Sequence, residues 1–227
     1  MDSWLLDELA LAGPEHLGPA AAVYEQKAGF DPEPDLALLH SLGLERGSCV
    51  VDLGAGTGVF AFAAARVAAH VVAVDVSPSM VAAMRSRNAG NVEVVNAGFL
   101  TYEHVGEPAD FVYSRNALHH LPDFWKAIAL TRVAALLRPG GVLRLRDLVY
   151  SFAPDEADEH IDAWLATGAK DPRAGWTQDE LRAHVRDEHS TFAWILEGLL
   201  ERAGFEIEAV RYDSRKVFGE YVAVKRR

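Results

Sequence analysis

The sequence predicts an α/β fold with a mostly parallel sheet covered by helices on both faces, and three observations predict it. Short β-branched runs alternate with helical patterns between residues 49 and 148, the rhythm of strands joined by right-handed crossovers. The first of those runs empties into a glycine loop that opens a helix. The composition permits such a fold: 227 residues, 50% hydrophobic and 24% charged, describe one globular domain long enough to bury a core.

The elements follow in order. The first thirty residues read as helical but are broken by Pro14, Gly18 and Pro19; a helix after Pro34 runs to Leu42 and stops at Gly43. Strand patterns occupy Cys49–Leu53, Val71–Val76, Val92–Val95, Phe111–Ser114 and Val142–Leu148, with helical patterns at Val59–Ala69, Ser79–Asn88 and Asp123–Leu137. Pro139-Gly140-Gly141 predicts a turn before the fifth strand. Ala153 to Glu188 interrupts the alternation. It is acidic, carries Trp164 and Trp176, and reads as two short helices, the second opening on the capping box Thr177-Gln178-Asp179-Glu180. A helix over Ser190–Ala203 ends at Gly204, and Phe205–Tyr212 and Phe218–Lys225 read as an antiparallel edge pair.

Thirty-three acidic against 22 basic residues give a formal charge of −11, which disfavours nucleic acid and membrane surfaces as partners. The single cysteine, Cys49, excludes an internal disulfide and fits a reducing compartment. The first eight residues lack the basic region of a signal peptide, and the longest apolar stretch, Val59 to Val76, is broken by Arg66, His70 and Asp75. The expectation is a soluble, cytoplasmic protein.

The sharpest local signal is Val50-Val51-Asp52-Leu53-Gly54-Ala55-Gly56-Thr57-Gly58. Glycines suit a backbone that turns sharply and passes close to a ligand. The third glycine, Gly58, follows Gly56 by two positions, whereas the dinucleotide fingerprint wants it three after, where Val59 stands. Asp52 precedes the first glycine, and a carboxylate there suits an ammonium group better than a pyrophosphate. Asp75 ends the second strand, where such sheets reach ribose hydroxyls; its alternative is to cap the helix at Pro78.

These stretches, with Asn116-Ala117-Leu118-His119-His120-Leu121-Pro122-Asp123 and Leu136-Leu137-Arg138-Pro139-Gly140-Gly141, resemble the class I S-adenosylmethionine-dependent methyltransferases, particularly the small-molecule enzymes related to ubiquinone and menaquinone methylation. The resemblance runs from about Cys49 to Leu148. It implies a Rossmann-like seven-stranded sheet with a reversed last hairpin and S-adenosyl-L-methionine as cofactor. By position, Asp52 and the loop at Gly54, Ala55 and Gly56 would hold the methionine part. Asp75 and Val76 would lie at the ribose, Met80, Gly98 and Phe99 at the adenine, and Arg115 and Asn116 at the sulfonium end. The family often has an acidic residue where this chain has Gly98, which leaves the N–H of Phe99 as the expected adenine partner. Residues 1–45 would form a helical lid containing Tyr24, 46–152 the cofactor-binding core, 153–190 an insert over the substrate site, and 191–227 the last helix and strand pair.

Candidates for chemistry are His189, Asp147 and His119 as acid–base groups, each with a structural alternative: a surface histidine beside a helix cap, a loop cap or partner of Arg146, and support of a helix start. Arg144 and Arg146 share one face of the fifth strand. Arg146 beside Arg115 would suit an anionic substrate group; the competing expectation is internal ion pairing with Asp110, Asp123 or Asp147. Trp164 offers apolar area to a substrate or to packing. No metal is expected, because the nine histidines show no ligand spacing and a divalent-metal catechol site would want carboxylates after both the fourth and fifth strands. Missing too are an Asn/Asp-Pro-Pro-Tyr/Phe run and a basic stripe. The leading reading is methyl transfer to O, N or C of a small metabolite. The alternatives are a non-catalytic S-adenosylmethionine-binding regulatory or assembly protein and, disfavoured by the glycine spacing, a nicotinamide oxidoreductase.

Overall fold

The computed structural model describes residues 4–12, 25, 27–87 and 89–226. Among them two helices precede the sheet, α1 (Glu8–Leu11) and α2 (Glu33–Ser41). Then β1 (Cys49–Leu53), α3 (Val59–Ala64), β2 (His70–Asp75), α4 (Pro78–Arg85), β3 (Val92–Asn96) and β4 (Ala109–Arg115) alternate as the β-branched runs require. They are followed by α5 (Asp123–Leu136), β5 (Leu137–Tyr150), α6 (Ala157–Leu165), α7 (Gln178–Asp187), β6 (Thr191–Phe192), α8 (Ala193–Arg202), β7 (Phe205–Tyr212) and β8 (Phe218–Lys225).

Seven strands lie in the order β3-β2-β1-β4-β5-β8-β7, and the two-residue β6 pairs with β5 off that path. The strands from β3 to β5 are parallel; β8 runs antiparallel to both β5 and β7. Strand residues alternate between two apolar layers. Val51, Leu53 and Val112 pack with Leu130 of α5 and Leu196 of α8, whereas Val50, Phe111 and Tyr113 pack with Leu39 of α2, Phe60 of α3 and Met84 of α4. This two-sided cover is why β1 and β2 are buried along nearly their whole length. A third small cluster, Leu148, Phe152, Trp164 and Val217, seats the helices of the insert. Among the described residues no helix is long and apolar enough to cross a membrane.

Boundaries differ from the sequence reading at several elements, and three of the differences have a clear local cause. Pro139-Gly140-Gly141 lies inside β5, where Leu137 still pairs with Ala109 and the register then shifts, so the expected turn is a bulge in a continuous strand. The helix after Val59 ends at Ala64 because Arg66 and Val67 bond to carbonyls three residues back, tightening the chain. The helix expected from Ser190 starts at Ala193, since Thr191 and Phe192 pair with Val149 and Tyr150. The capping box is as read: Thr177 Oγ1 accepts from Glu180 N, and Glu180 accepts from Thr177 N at 2.8 Å.

Candidate functional site

The parallel order reverses at β1, and the cleft opens at the carboxyl ends of β1, β2 and β4. Among the described residues it has two compartments that share Gly54, Gly56 and Asn116. Asp75, Val76, Gly98, Phe99 and His120 line the first. Asp52, Ala55, Thr57, Phe60 and Arg115 line the second.

Gly54 takes φ +72, and a Cβ on it would fall 2.3 Å from that of Ala117, so only glycine lets the loop approach β4 here. Gly54 and Ala55 both donate to the Val74 carbonyl, which ties the loop to β2. Asp75 completes the tie: its carboxylate accepts Gly56 N and Ser77 N, each at 2.8 Å. Burial outweighs those two donors and raises its pKa to about 6. The cap of α4 is Ser77, whose Oγ accepts from Met80 N, so Asp75 is a brace of the glycine loop rather than a helix cap.

Asp52 is 2% exposed, and among the described residues its Oδ2 has no hydrogen-bond partner. Burial, reinforced by Asp75, holds its pKa well above the carboxylate range. An orphaned buried oxygen in the compartment that also holds the Arg115 side chain fits a zwitterionic amino-acid end. Arg115 lies over the Phe30 ring at 4.2 Å, and Arg146, its register partner, over Phe218 at 4.0 Å. Arg146 also donates to Asn116 Oδ1. Asn116 has φ +51, a left-handed conformation that asparagine tolerates better than most residues, and its N–H donates to the Arg146 carbonyl at 2.8 Å. Among the described residues neither Arg115 nor Arg146 has a carboxylate within salt-bridge distance. Burial and then Arg115 lower the Arg146 pKa to about 10.

Glu8 is the residue that sequence reasoning missed. It is 9% exposed, lines the first compartment and accepts Leu100 N at 3.0 Å. A Cβ on Gly98 would come within 2.4 Å of its carboxylate. Glu8 of α1 thus places a carboxylate beside the Gly98 backbone, and burial raises its pKa. No spacing in the chain links positions 8 and 98.

Several expected roles change. Met80 is fully buried and does not reach the cleft surface. Trp164 is 3% exposed, in the cluster under the insert and edge-on to Phe218, which is its packing alternative. Arg144 pairs with Asp35 and Glu220 instead of Asp110, Asp123 or Asp147. Asp147 is buried and spent on His119, accepting its backbone N–H at 3.1 Å and contacting its Nδ1, so it is not a substrate contact. Burial disfavours the His119 cation, but Asp147 and then Glu188 outweigh it and raise the pKa to about 9, so His119 is no neutral-pH base. The His189 backbone donates to His119 O at 3.0 Å and accepts from Lys126 Nζ, and its ring lines neither compartment. Tyr24 falls outside the described residues.

One grouping runs against the histidine-spacing argument: His119, His184 and Glu188 bring donor atoms within 4.8 Å of one another. His184 and Glu188 stand four apart at the end of α7, a spacing that was there to be read.

Residues 50–141 match a family model described as a methyltransferase domain. The chain is 32% identical over 154 residues to an uncharacterized methyltransferase of Mycobacterium bovis, spanning 61% of this chain and 76% of that protein. It is 28% identical over 155 residues to the ubiquinone biosynthesis O-methyltransferase of Bradyrhizobium diazoefficiens, 66% and 60% of the respective lengths. In fold it is similar to magnesium protoporphyrin IX methyltransferase of Synechocystis with bound S-adenosylmethionine, with a TM-score of 0.66, 15% identity and 99% and 100% coverage.

Proposed function

The chain belongs to the methyltransferase family, and we propose that it uses S-adenosylmethionine to methylate O, N or C of a small molecule bearing an anionic group, by in-line displacement with no metal at the reacting atoms. The observation that carries this reading is the pair Arg115 and Arg146, side by side across β4 and β5 and, among the described residues, with no carboxylate within salt-bridge distance of either. Guanidinium groups beside a cleft that make no direct ion pair with a described residue suit a carboxylate or phenolate ligand.

When bound, S-adenosylmethionine supplies an electrophilic methyl group on its sulfonium. Asp52 would hold its ammonium, Arg115 its carboxylate, Asp75 the ribose hydroxyls and Glu8 the adenine amino group. With Arg115 engaged by the cofactor, Arg146 remains for the acceptor, oriented by Asn116 and the Phe218 ring. His120, which lines the cleft, takes the proton of an O–H or N–H acceptor. Alignment and exclusion of water account for the rest of the acceleration.

The test begins with calorimetric titration by S-adenosylmethionine and S-adenosylhomocysteine, and both should bind. Turnover is then compared for aromatic acids and their neutral methyl esters. The acid should be preferred about 10- to 100-fold in kcat/KM, the range of one charge-assisted hydrogen bond. Arg146→Gln should remove the preference while cofactor affinity stays within about twofold. Equal use of acid and ester by the unaltered protein overturns the anionic-acceptor reading.

A further inference from the structure

Outside the cleft lining, three side chains that methyl transfer does not use converge from separate parts of the chain. His119 stands on the single helical turn Leu118–His120 after β4, His184 on the last turn of α7, and Glu188 at the residue that ends α7. Glu188 Oε2 is 3.0 Å from His119 Nε2 and 2.5 Å from His184 Nδ1. Among the described residues that buried oxygen has three imidazole nitrogens near it, the third being His120 Nδ1 at 3.9 Å, and none makes a well-aligned hydrogen bond to it. The other nitrogens of His119 and His184 are already engaged: His119 Nδ1 by Asp147, and His184 Nε2 by Ser190 Oγ at 3.0 Å. The side chains are 5%, 12% and 18% exposed.

We propose that His119, His184 and Glu188 bind one divalent first-row transition ion, with Zn²⁺ as the reference metal, and that this ion ties the helices of segment 153–190 to the sheet. Two imidazoles and one carboxylate are a donor set for Zn²⁺ or Co²⁺; Mg²⁺ and Ca²⁺ want oxygen ligands. Histidines that ligate a metal through one nitrogen characteristically donate the other N–H to a carboxylate or hydroxyl, which fixes ring orientation. Asp147 and Ser190 stand in those positions. Zinc–nitrogen bonds of ~2.0–2.1 Å put tetrahedral ligand atoms about 3.3 Å apart, so on binding the Glu188 carboxylate withdraws from His184 while the donor atoms, now spread over up to 4.8 Å, close in around the ion. Water completes the fourth position. Because His119 belongs to the turn after β4 and the other two ligands to α7, the ion joins the insert to the core.

The test uses the full chain, stripped with chelator and dialysed, then titrated with Zn²⁺ by calorimetry and with Co²⁺ by visible absorption. One equivalent should bind, with the cobalt spectrum of a low-coordinate nitrogen–oxygen site. His184→Ala and Glu188→Gln should each weaken Zn²⁺ binding at least about 100-fold. Asp147→Asn, which alters only the outer partner, should weaken it about 10- to 100-fold. His70→Ala, at an exposed pair with Glu93, should leave it unchanged. Circular dichroism checks that each variant is folded, and His184→Ala keeps the test decisive where His119→Ala fails to fold. Hydrogen exchange over 153–190 should slow on adding Zn²⁺. Absence of Zn²⁺ and Co²⁺ binding, or binding that survives both His184→Ala and Glu188→Gln, overturns the site; binding without slowed exchange overturns the tie.

Discussion

At Asp75 two physical effects oppose each other, and burial prevails. Two backbone N–H groups favour the carboxylate, yet desolvation lifts the pKa from 3.8 to about 6. The folded chain therefore holds this proton more tightly than the unfolded one. The resulting stabilisation is full below about pH 4 and is lost as the pH rises through about 6. Ligand binding runs the other way, because ribose hydroxyls need the charged acceptor. S-adenosylmethionine affinity should fall as the pH drops through about 6. Asp75→Asn should weaken binding at pH 7.5 by about 1–3 kcal/mol and flatten that acid limb. Calorimetry of both proteins from pH 5 to pH 8, chosen to bracket about 6, measures it; a limb that persists in Asp75→Asn would assign it to another group.

At the scale of elements, α1 matters out of proportion to its four residues. Its burial comes through Glu8, whose carboxylate takes the Leu100 N–H and fills the space a side chain at 98 would occupy. Glu8→Ala should weaken S-adenosylmethionine about 10- to 100-fold, the loss of one hydrogen bond to a charged acceptor. Gly98→Asp alone should also weaken it, since its Cβ would lie 2.4 Å from Glu8. The double variant should recover most of the affinity, because the new carboxylate then has both the space and the ligand. Independent, additive losses in this cycle would sink the idea that the two positions serve one acceptor. The sequence contains the glycine and the glutamate but nothing that relates them.

For the molecule as a whole, Asp35 links the layers. Its two oxygens take Arg144 Nε and Tyr113 Oη, each at 2.8 Å, and Arg144 reaches on to Glu220. This joins α2 to β4, β5 and β8. Asp35 and Arg144 are each 7% exposed, so removing Asp35 leaves the buried Arg144 with half-buried Glu220 as its remaining carboxylate and the buried Tyr113 hydroxyl without its acceptor. Asp35→Ala should cost about 3–5 kcal/mol in urea denaturation. By contrast Asp110→Asn, facing the half-exposed Arg138, should cost under about 1 kcal/mol. Equal shifts in the two variants would mean that the buried network contributes no more than a surface pair.

The features legible from the order of residues are local. The strand runs, the glycine loop, the Thr177–Glu180 capping box and the final hairpin follow from spacings of two to four residues, which set which groups share a face or a turn. The Pro139-Gly140-Gly141 bulge was misread because a turn signal looks the same whether the chain reverses or a strand merely shifts register. Pairing between distant segments comes from the folded arrangement alone. Arg144 finds Asp35 at a separation of 109 residues, Glu8 meets Leu100 at 92, and Asp147 meets His119 at 28. Each is a contact between a charged or polar group and whichever partner the strand order delivers. In an acidic chain with 33 carboxylates, charge alone leaves that choice open. The sheet order and the burial of both its faces make the choice, because a charge removed from water persists only where the fold has set its complement.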